Sequence, residues 1–238
     1  MLRVIIIFSL IAIGQASDAL PADVVEACKD FHAENPRGWS FIQTTTAGPQ
    51  IMVESYDAGR PEFSRWRLLA RDGRPPTESE SRTYAETRSR RSRGGTAPDI
   101  AGQLDLTTAE PVAVGDVESI YRFRLKRAAS GDRTAENLRA IVTFHHPTGT
   151  IRRIELTNIQ SFSPVLGVRI TEMHTSIHYH LPTDNRPALL DRITTRTRGR
   201  AYFKSLDADM VVIFSEYSLA RRSPQAMPAG GPDAGKAD

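Results

Sequence analysis

The stretch from Leu166 to Leu181 (LGVRITEMHTSIHYHL) constrains this chain more than any other. After Gly167 it holds no Gly or Pro, and it is rich in the Val, Ile, Thr and Tyr that suit a pleated, half-buried surface. Fully extended at ~3.3 Å per residue it would reach roughly 50 Å, whereas a usual strand has ~5–6 residues. Such a strand cannot stay flat in a small domain. Its apolar residues also change parity, with Val168 and Ile170 in one set and Met173, Ile177, Tyr179 and Leu181 in the other. That switch requires a bulge or an exchange of faces near Glu172 and Met173, and bulges bend strands. The expectation is a sheet that turns its corner there, with His174, His178 and His180 on the outer face.

The rest of the chain supplies strands to accompany it. Trp39 to Thr46 and Gln50 to Tyr56 flank Ala47-Gly48-Pro49 as a hairpin. Arg65 to Arg71 alternates, with Trp66, Leu68 and Ala70 opposite the arginines. Pro111 to Val114 and Val117 to Lys126 flank Gly115-Asp116; Val117, Tyr121, Phe123 and Leu125 share one side, while Ser119 and Ile120 break the rule. Leu138 to Phe144 points Leu138, Ala140, Val142 and Phe144 inward. Ile151 to Gln160, Leu189 to Lys204 and Met210 to Tyr217 complete the set.

Helices are few. Leu20 to Asn35 carries Val24, Val25, Cys28 and Phe31 on one stripe, as in a helix laid against a core. Thr77 to Glu80 fits a capping box, but Thr77 to Arg93 has almost no apolar stripe, which predicts an exposed or partly formed helix. Ala97 to Glu110 reads as a short helix. With no βαβ alternation, short turns imply antiparallel pairing. The predicted fold is mainly β with few helices (α+β): a strongly curved antiparallel sheet or half-barrel of about ten strands, curling as large open sheets do, with the amphipathic helix over its concave face.

Residues 1–19 have the form of an export signal: Met1-Leu2-Arg3, an apolar run from Val4 to Ile13, then small residues at Ser17 and Ala19. The apolar run is short of the ~20 residues a membrane helix needs. This predicts cleavage near Ala19 and a periplasmic location, a single domain over 20–217, and a disordered Ala-, Gly- and Pro-rich tail over 218–238. Cys28 is the lone thiol, so no intramolecular disulfide forms.

The 31 basic residues comprise 27 Arg and 4 Lys, and the formal charge is +3. Arg88, Arg90, Arg91 and Arg93 form the densest basic run, which reads either as a solvated loop or as a contact for anionic headgroups or an acidic envelope partner. Nucleic acid is not expected, since no aromatics interleave for stacking. His178 and His180 lie side by side, ~6–7 Å apart on an extended strand, but no third ligand of the same parity completes a metal site locally. No GxSxG, CxxC or phosphate-loop pattern occurs. The reading is therefore non-enzymatic, without cofactor or metal, and monomeric.

The export signal, the amphipathic helix, SFIQTT…IMVESYD and HHPTGTIRRIEL together resemble the superfamily of outer-membrane lipoprotein carriers and receptors (LolA/LolB-like). Its turn of the type x-T-G-x-I-x-x-I corresponds to Thr148 through Ile154, and the likeness spans Val24 to Tyr217. The resemblance implies a helix-covered antiparallel half-barrel whose apolar cavity holds acyl chains. The Arg-rich stretch Thr77 to Gly95 departs from that pattern. A lipid or lipoprotein acyl chain is then the expected ligand, with Trp39, Phe41, Trp66, Leu68, Tyr121 and Phe123 lining its site. The alternative is an envelope scaffold with a packed interior that engages a partner through the Arg-rich loop.

Overall fold

A computed structural model describes residues 20–31, 38–91, 100–126 and 134–220, without the side chains of 89–91 and 100–101. The elements are α1 (Ala22–Lys29), β1 (Trp39–Ala47), β2 (Gln50–Tyr56), β3 (Trp66–Arg71), α2 (Glu78–Arg91), α3 (Ile100–Gln103), β4 (Leu104–Val114), β5 (Glu118–Leu125), β6 (Leu138–His145), β7 (Thr150–Asn158), β8 (Val168–His180), β9 (Leu189–Ala201), β10 (Lys204–Ser205) and β11 (Ala208–Leu219). All strands join one antiparallel sheet in the order β3-β2-β1-β11-β9-β8-β7-β6-β5-β4, with β10 paired to the end of β9. The sheet does not close into a barrel, so β3 and β4 remain as edges. These consecutive strands occupy opposite edges, and the segment joining them carries α2 and α3.

Bulges supply the curvature. The register slips between Ile170 and Glu172 on β8, where the parity switch placed it, and again between His178 and Tyr179. Further slips fall at Thr143/Phe144, Val53/Glu54 and Ser40/Ile42, the last opposite Glu216 with its left-handed φ of 53°. Each extra residue bends its strand and increases local twist. Ile177 and Tyr179 are buried in the main core, while His174, His178 and His180 alternate to the other face.

The concave face is the core. Phe41, Leu104, Tyr121, Phe123, Ala140, Val142, Phe144, Ile154, Ile177, Leu190, Val212 and Phe214 form one buried cluster drawn from most of the strands. Val24 and Cys28 of α1 are buried within it, and Phe31 packs edge-on to Tyr179 with ring centroids 5.2 Å apart. Burial pushes the Cys28 thiol up to about 11, so it is an inert packing group. The inward alternation of Leu138, Ala140, Val142 and Phe144 holds throughout.

Three local expectations change. From residue 100, where the description resumes, to 110 only Ile100–Gln103 is helical; Leu104 begins the 11-residue strand β4, in which Asp105 to Glu110 loops out of register to pack Leu106 and Ala109 on the core. Ser119 is fully buried and shares the inward face with Tyr121 and Phe123, whereas Val117 lies exposed before the strand. β11 runs to Leu219, two residues beyond the expected domain end. The expected signal segment, and the tail beyond Ala220, lie outside the described residues.

The bend in β8 leaves little room on its neighbour. A Cβ at Gly199 would sit 2.2 Å from the Arg169 carbonyl oxygen, a backbone atom that cannot step aside. Gly199→Ala should therefore lower stability by about 1–3 kcal/mol, the scale of overpacking. Urea unfolding would measure it, with Gly73→Asn, at an open left-handed turn, staying near the parent.

Candidate functional site

Two helices cover the concave face in different ways. α1 sits on the β5–β8 half by apolar burial. α2 covers the β1–β3 half with a sequence, ESESRTYAETRSRR, that has no apolar stripe to bury. Thr77 and Glu80 form the capping box reciprocally: the Thr77 amide donates to Glu80 Oε2 at 2.8 Å and the Glu80 amide to Thr77 Oγ1 at 3.2 Å. Arg74 clasps the same carboxylate through both terminal nitrogens, at 2.9 and 2.8 Å. The Arg74 contacts and the Thr77 amide together hold Glu80 down at about 2, from an ordinary 4.5.

Beneath α2 lies a fully buried carboxylate. Glu54 on β2 faces inward beside Gln43 of β1 and Leu68 of β3, its register partners. Its Oε2 accepts from Gln43 Nε2 at 2.9 Å, and its Oε1 accepts from the Tyr84 hydroxyl at 2.6 Å and from Arg88 Nη2. The Arg88 guanidinium stacks over the Trp66 ring, 4.3 Å from its centroid, a cation–π contact that also desolvates the charge. Burial first, then the Glu54 carboxylate, raises the Tyr84 hydroxyl far above its ordinary range. Burial alone would lower Arg88, but Glu54 and Tyr84 outweigh it and its pKa rises. A charge buried this deeply persists only when fully paired. Glu54 is thus the anchor that seats an otherwise polar helix.

Next to this anchor is an aromatic group. Phe41 stacks on Tyr56 at 5.0 Å and meets Trp66, Phe214 and Tyr217 at 5.6–5.7 Å; Tyr56 and Trp66 lie 5.1 Å apart. At the strand ends beside it opens a cavity of about 450 Å³, whose wall takes Phe41 and Tyr56 from the inner face, the register partners Ile42, Ser55 and Arg67 from the outer face, and Leu219, Arg60 and Arg65 at the rim. That volume falls within the ~300–1,000 Å³ of small-molecule sites. Asp57 pairs with Arg60 at 3.0 Å, and Asp57 and Glu216 are the carboxylates on the wall. Three guanidiniums face two carboxylates, so the cavity favours an anionic group.

Of the residues expected to line a ligand site, Phe41 and Trp66 meet at this end, Leu68 is buried on β3 opposite Glu54, and Trp39 is half-buried at the start of β1. Tyr121 and Phe123 lie on β5 in the tightly packed α1 half, with Phe123 fully buried. Of the basic run, Arg88 points inward to Glu54. Arg90 and Arg91 belong to α2 with their side chains outside the described residues, as is Arg93 altogether. Sequence reading missed Glu54, Gln43 and Tyr84. The signal available for Tyr84 and Arg88 was their i,i+4 spacing on one face of a capped helix.

Among the described residues, the histidines take outer-face or turn positions. His174 approaches Glu155 at 3.7 Å and His180 approaches Asp191 at 3.5 Å. His178 contacts Ser176 Oγ at 2.9 Å, and burial, then Arg153, lowers its pKa. Among the described residues no three His, Cys, Asp or Glu side chains gather as a metal site. Ser119 Oγ lies 2.7 Å from His146 Nε2, and His146 Nδ1 lies 3.8 Å from Asp23. These are the groups of a Ser–His–Asp relay, but Ser119 is sealed in the core where no substrate reaches it. The chain of contacts instead ties the first turn of α1 to β5 and the β6–β7 turn.

No helix among the described residues is long and apolar enough to cross a membrane. No family model, curated protein or solved structure matches this chain.

Glu54→Leu should remove the acceptor shared by Gln43, Tyr84 and Arg88 and destabilise the fold by about 3 kcal/mol. Adding Arg88→Met should recover about 1–2 kcal/mol of that loss, read as coupling in a double-mutant cycle. Because Glu80 is depressed in the folded chain, its stabilisation of the α2 cap is complete above its ordinary 4.5 and drains away as pH falls through about 2. Trp66 fluorescence in a Trp39→Phe background should report α2 loosening across that window, and Glu80→Gln should abolish the dependence.

Proposed function

We propose that this is an exported, periplasmic binding protein that holds a lipid or similar amphiphile at the β1–β3 end of the half-barrel. One observation carries the reading: the aromatic end of the concave face is covered by a helix that has no hydrophobic stripe. An apolar lid is permanent, because its removal exposes core. A lid seated through hydrogen bonds and ion pairs exchanges them for water, at ~1.5–3 kcal/mol for each bond to a charged group, and exposes no apolar stripe of its own. Phe41, Tyr56, Trp66 and Leu68 would then meet an acyl chain when α2 lifts, and Arg60 and Arg65 at the strand ends would meet an anionic head. The inward turn of Arg88 weighs against the Arg-rich run acting as a uniform outward partner surface.

Solvent extraction of the natively purified protein, followed by mass spectrometry, should release an anionic amphiphile near one per chain. Arg88→Met should speed its exchange, and Trp66→Ala should lower its retention roughly tenfold, in line with the loss of a buried aromatic contact. A chain that yields no amphiphile, and that takes up none when offered fluorescent fatty acid, overturns the reading.

A further inference from the structure

One end of the half-barrel carries an apolar tip that the ligand site does not use. The β7–β8 connection and the β9–β10 turn lie side by side there, because β8 begins where β9 ends, with Val168 opposite Ala201. Leu166 is 95% exposed, Phe203 96%, Tyr202 73% and Val165 61%. Isolated exposed apolar residues are ordinary; four on two adjacent turns, two of them almost wholly in water, mark an interaction site.

The tip is built rather than loose. The Tyr202 amide donates to the Gly167 carbonyl at 2.6 Å, and the Tyr202 ring lies so close over Gly167 that a Cβ there would fall 2.5 Å from it. Gly167 at φ 81° and Tyr202 at φ 55° both adopt left-handed backbone, which aims Leu166 and Phe203 outward instead of back onto the sheet. The cost of holding a tyrosine in that region is accepted at the point that exposes the most apolar surface.

Cations ring the tip. Arg169 and Arg200 are direct register partners on β8 and β9, and Lys204 follows Phe203. Like charges directly opposite destabilise a sheet, and among the described residues no carboxylate pairs with Arg169, Arg200 or Lys204. Asp207, three residues beyond Lys204, accepts from Ser205 Oγ at 2.7 Å. By contrast, the exposed valines Val112, Val114 and Val117 at the β4–β5 hairpin, which lies at the opposite end, neighbour Asp116 and Glu118. The β8–β9 end instead joins apolar and aromatic side chains to basic ones that no described carboxylate pairs.

We propose that this tip docks the protein on an anionic lipid bilayer, with Leu166 and Phe203 entering the acyl boundary, Tyr202 at headgroup level, and Arg169, Arg200 and Lys204 against lipid phosphates. Shallow insertion of a few apolar side chains combined with basic residues is the physics of interfacial binding. The proposal stands apart from the ligand site, which occupies the other end of the first strands.

The full chain bearing Phe203→Cys takes an environment-sensitive fluorophore at 203, because Cys28 is buried. Phe63→Cys, on a residue 77% exposed away from the tip, serves as control. Vesicles of phosphatidylcholine with phosphatidylglycerol should shift the 203 probe to the blue and expose it to lipid-borne quenchers, leaving the 63 probe unchanged. Arg169→Glu with Arg200→Glu should weaken that response roughly tenfold or more, as should Leu166→Ser. All variants share residues 1–19, so differences between them report the tip. A 203 probe that stays water-like with vesicles overturns the proposal. So does an equal shift on pure phosphatidylcholine, or a shift without lipid that grows with protein concentration and marks a second copy as occupant. An extractable ligand with a silent 203 probe would defeat this proposal alone; the converse would defeat only the ligand site.

Discussion

The fold depends on keeping one face of a ten-strand ribbon inside while leaving the ribbon open. A flat sheet of this width would expose its apolar face or need a second sheet to cover it. Here bulges on successive strand pairs curl the ribbon until Phe41 near one side and Leu104 at the other belong to one cluster around α1. α1 alone is only eight residues, too short to be stable by propensity. It is held by the burial of Val24 and Cys28 and by the Asp23–His146–Ser119 contacts, so helix and curvature each require the other.

Openness sets the second constraint. Two edge strands survive, and edges invite pairing with other chains. β3 carries Arg67 on its outer face and, past the bulge that reverses the expected alternation, turns Arg71 toward α2, 3.9 Å from Glu80; β4 is interrupted by a four-residue loop-out and contains Pro111, which cannot donate to a new neighbour. The connection between these edges is obliged to travel from one to the other. That requirement explains why a polar helix lies over the concave face at all: α2 is part of the link. Glu54 then converts a passing segment into a seated one by burying a carboxylate that only Tyr84, Arg88 and Gln43 satisfy.

Much of this was legible where one physical signal dominated. Alternation gave the inward set from Leu138 to Phe144, and parity counting located the β8 bulge to within about two residues, because the side-chain period of a strand is strictly two. The capping box at Thr77 and Glu80 is a local reciprocal pair, readable without tertiary context. β4 was not legible, since Asp105 to Glu110 leaves the ladder and its apolar residues follow no period. Nor was the pairing of β1 with β11, a contact between chain ends that leaves no local trace. On sequence Ser119 breaks the pattern of its strand, because an unpartnered polar residue belongs in water; His146 reaches over and satisfies it inside.

Glu54 shows why the site itself was the least legible part. On sequence it belongs to a strand, IMVESY, in which a carboxylate reads as the solvent face. Its burial becomes intelligible only when Tyr84 and Arg88, thirty and thirty-four residues later, are brought above it. The same feature that hid the site bears on its purpose. Well-packed apolar residues of similar volume often match or exceed a buried ion pair in stability. A helix needed only to close the core would be expected to carry leucines on its inner face. A helix seated by Glu54, Arg88 and Tyr84 is specific in position yet separable from the sheet, which is the property a cover over a binding site has to have.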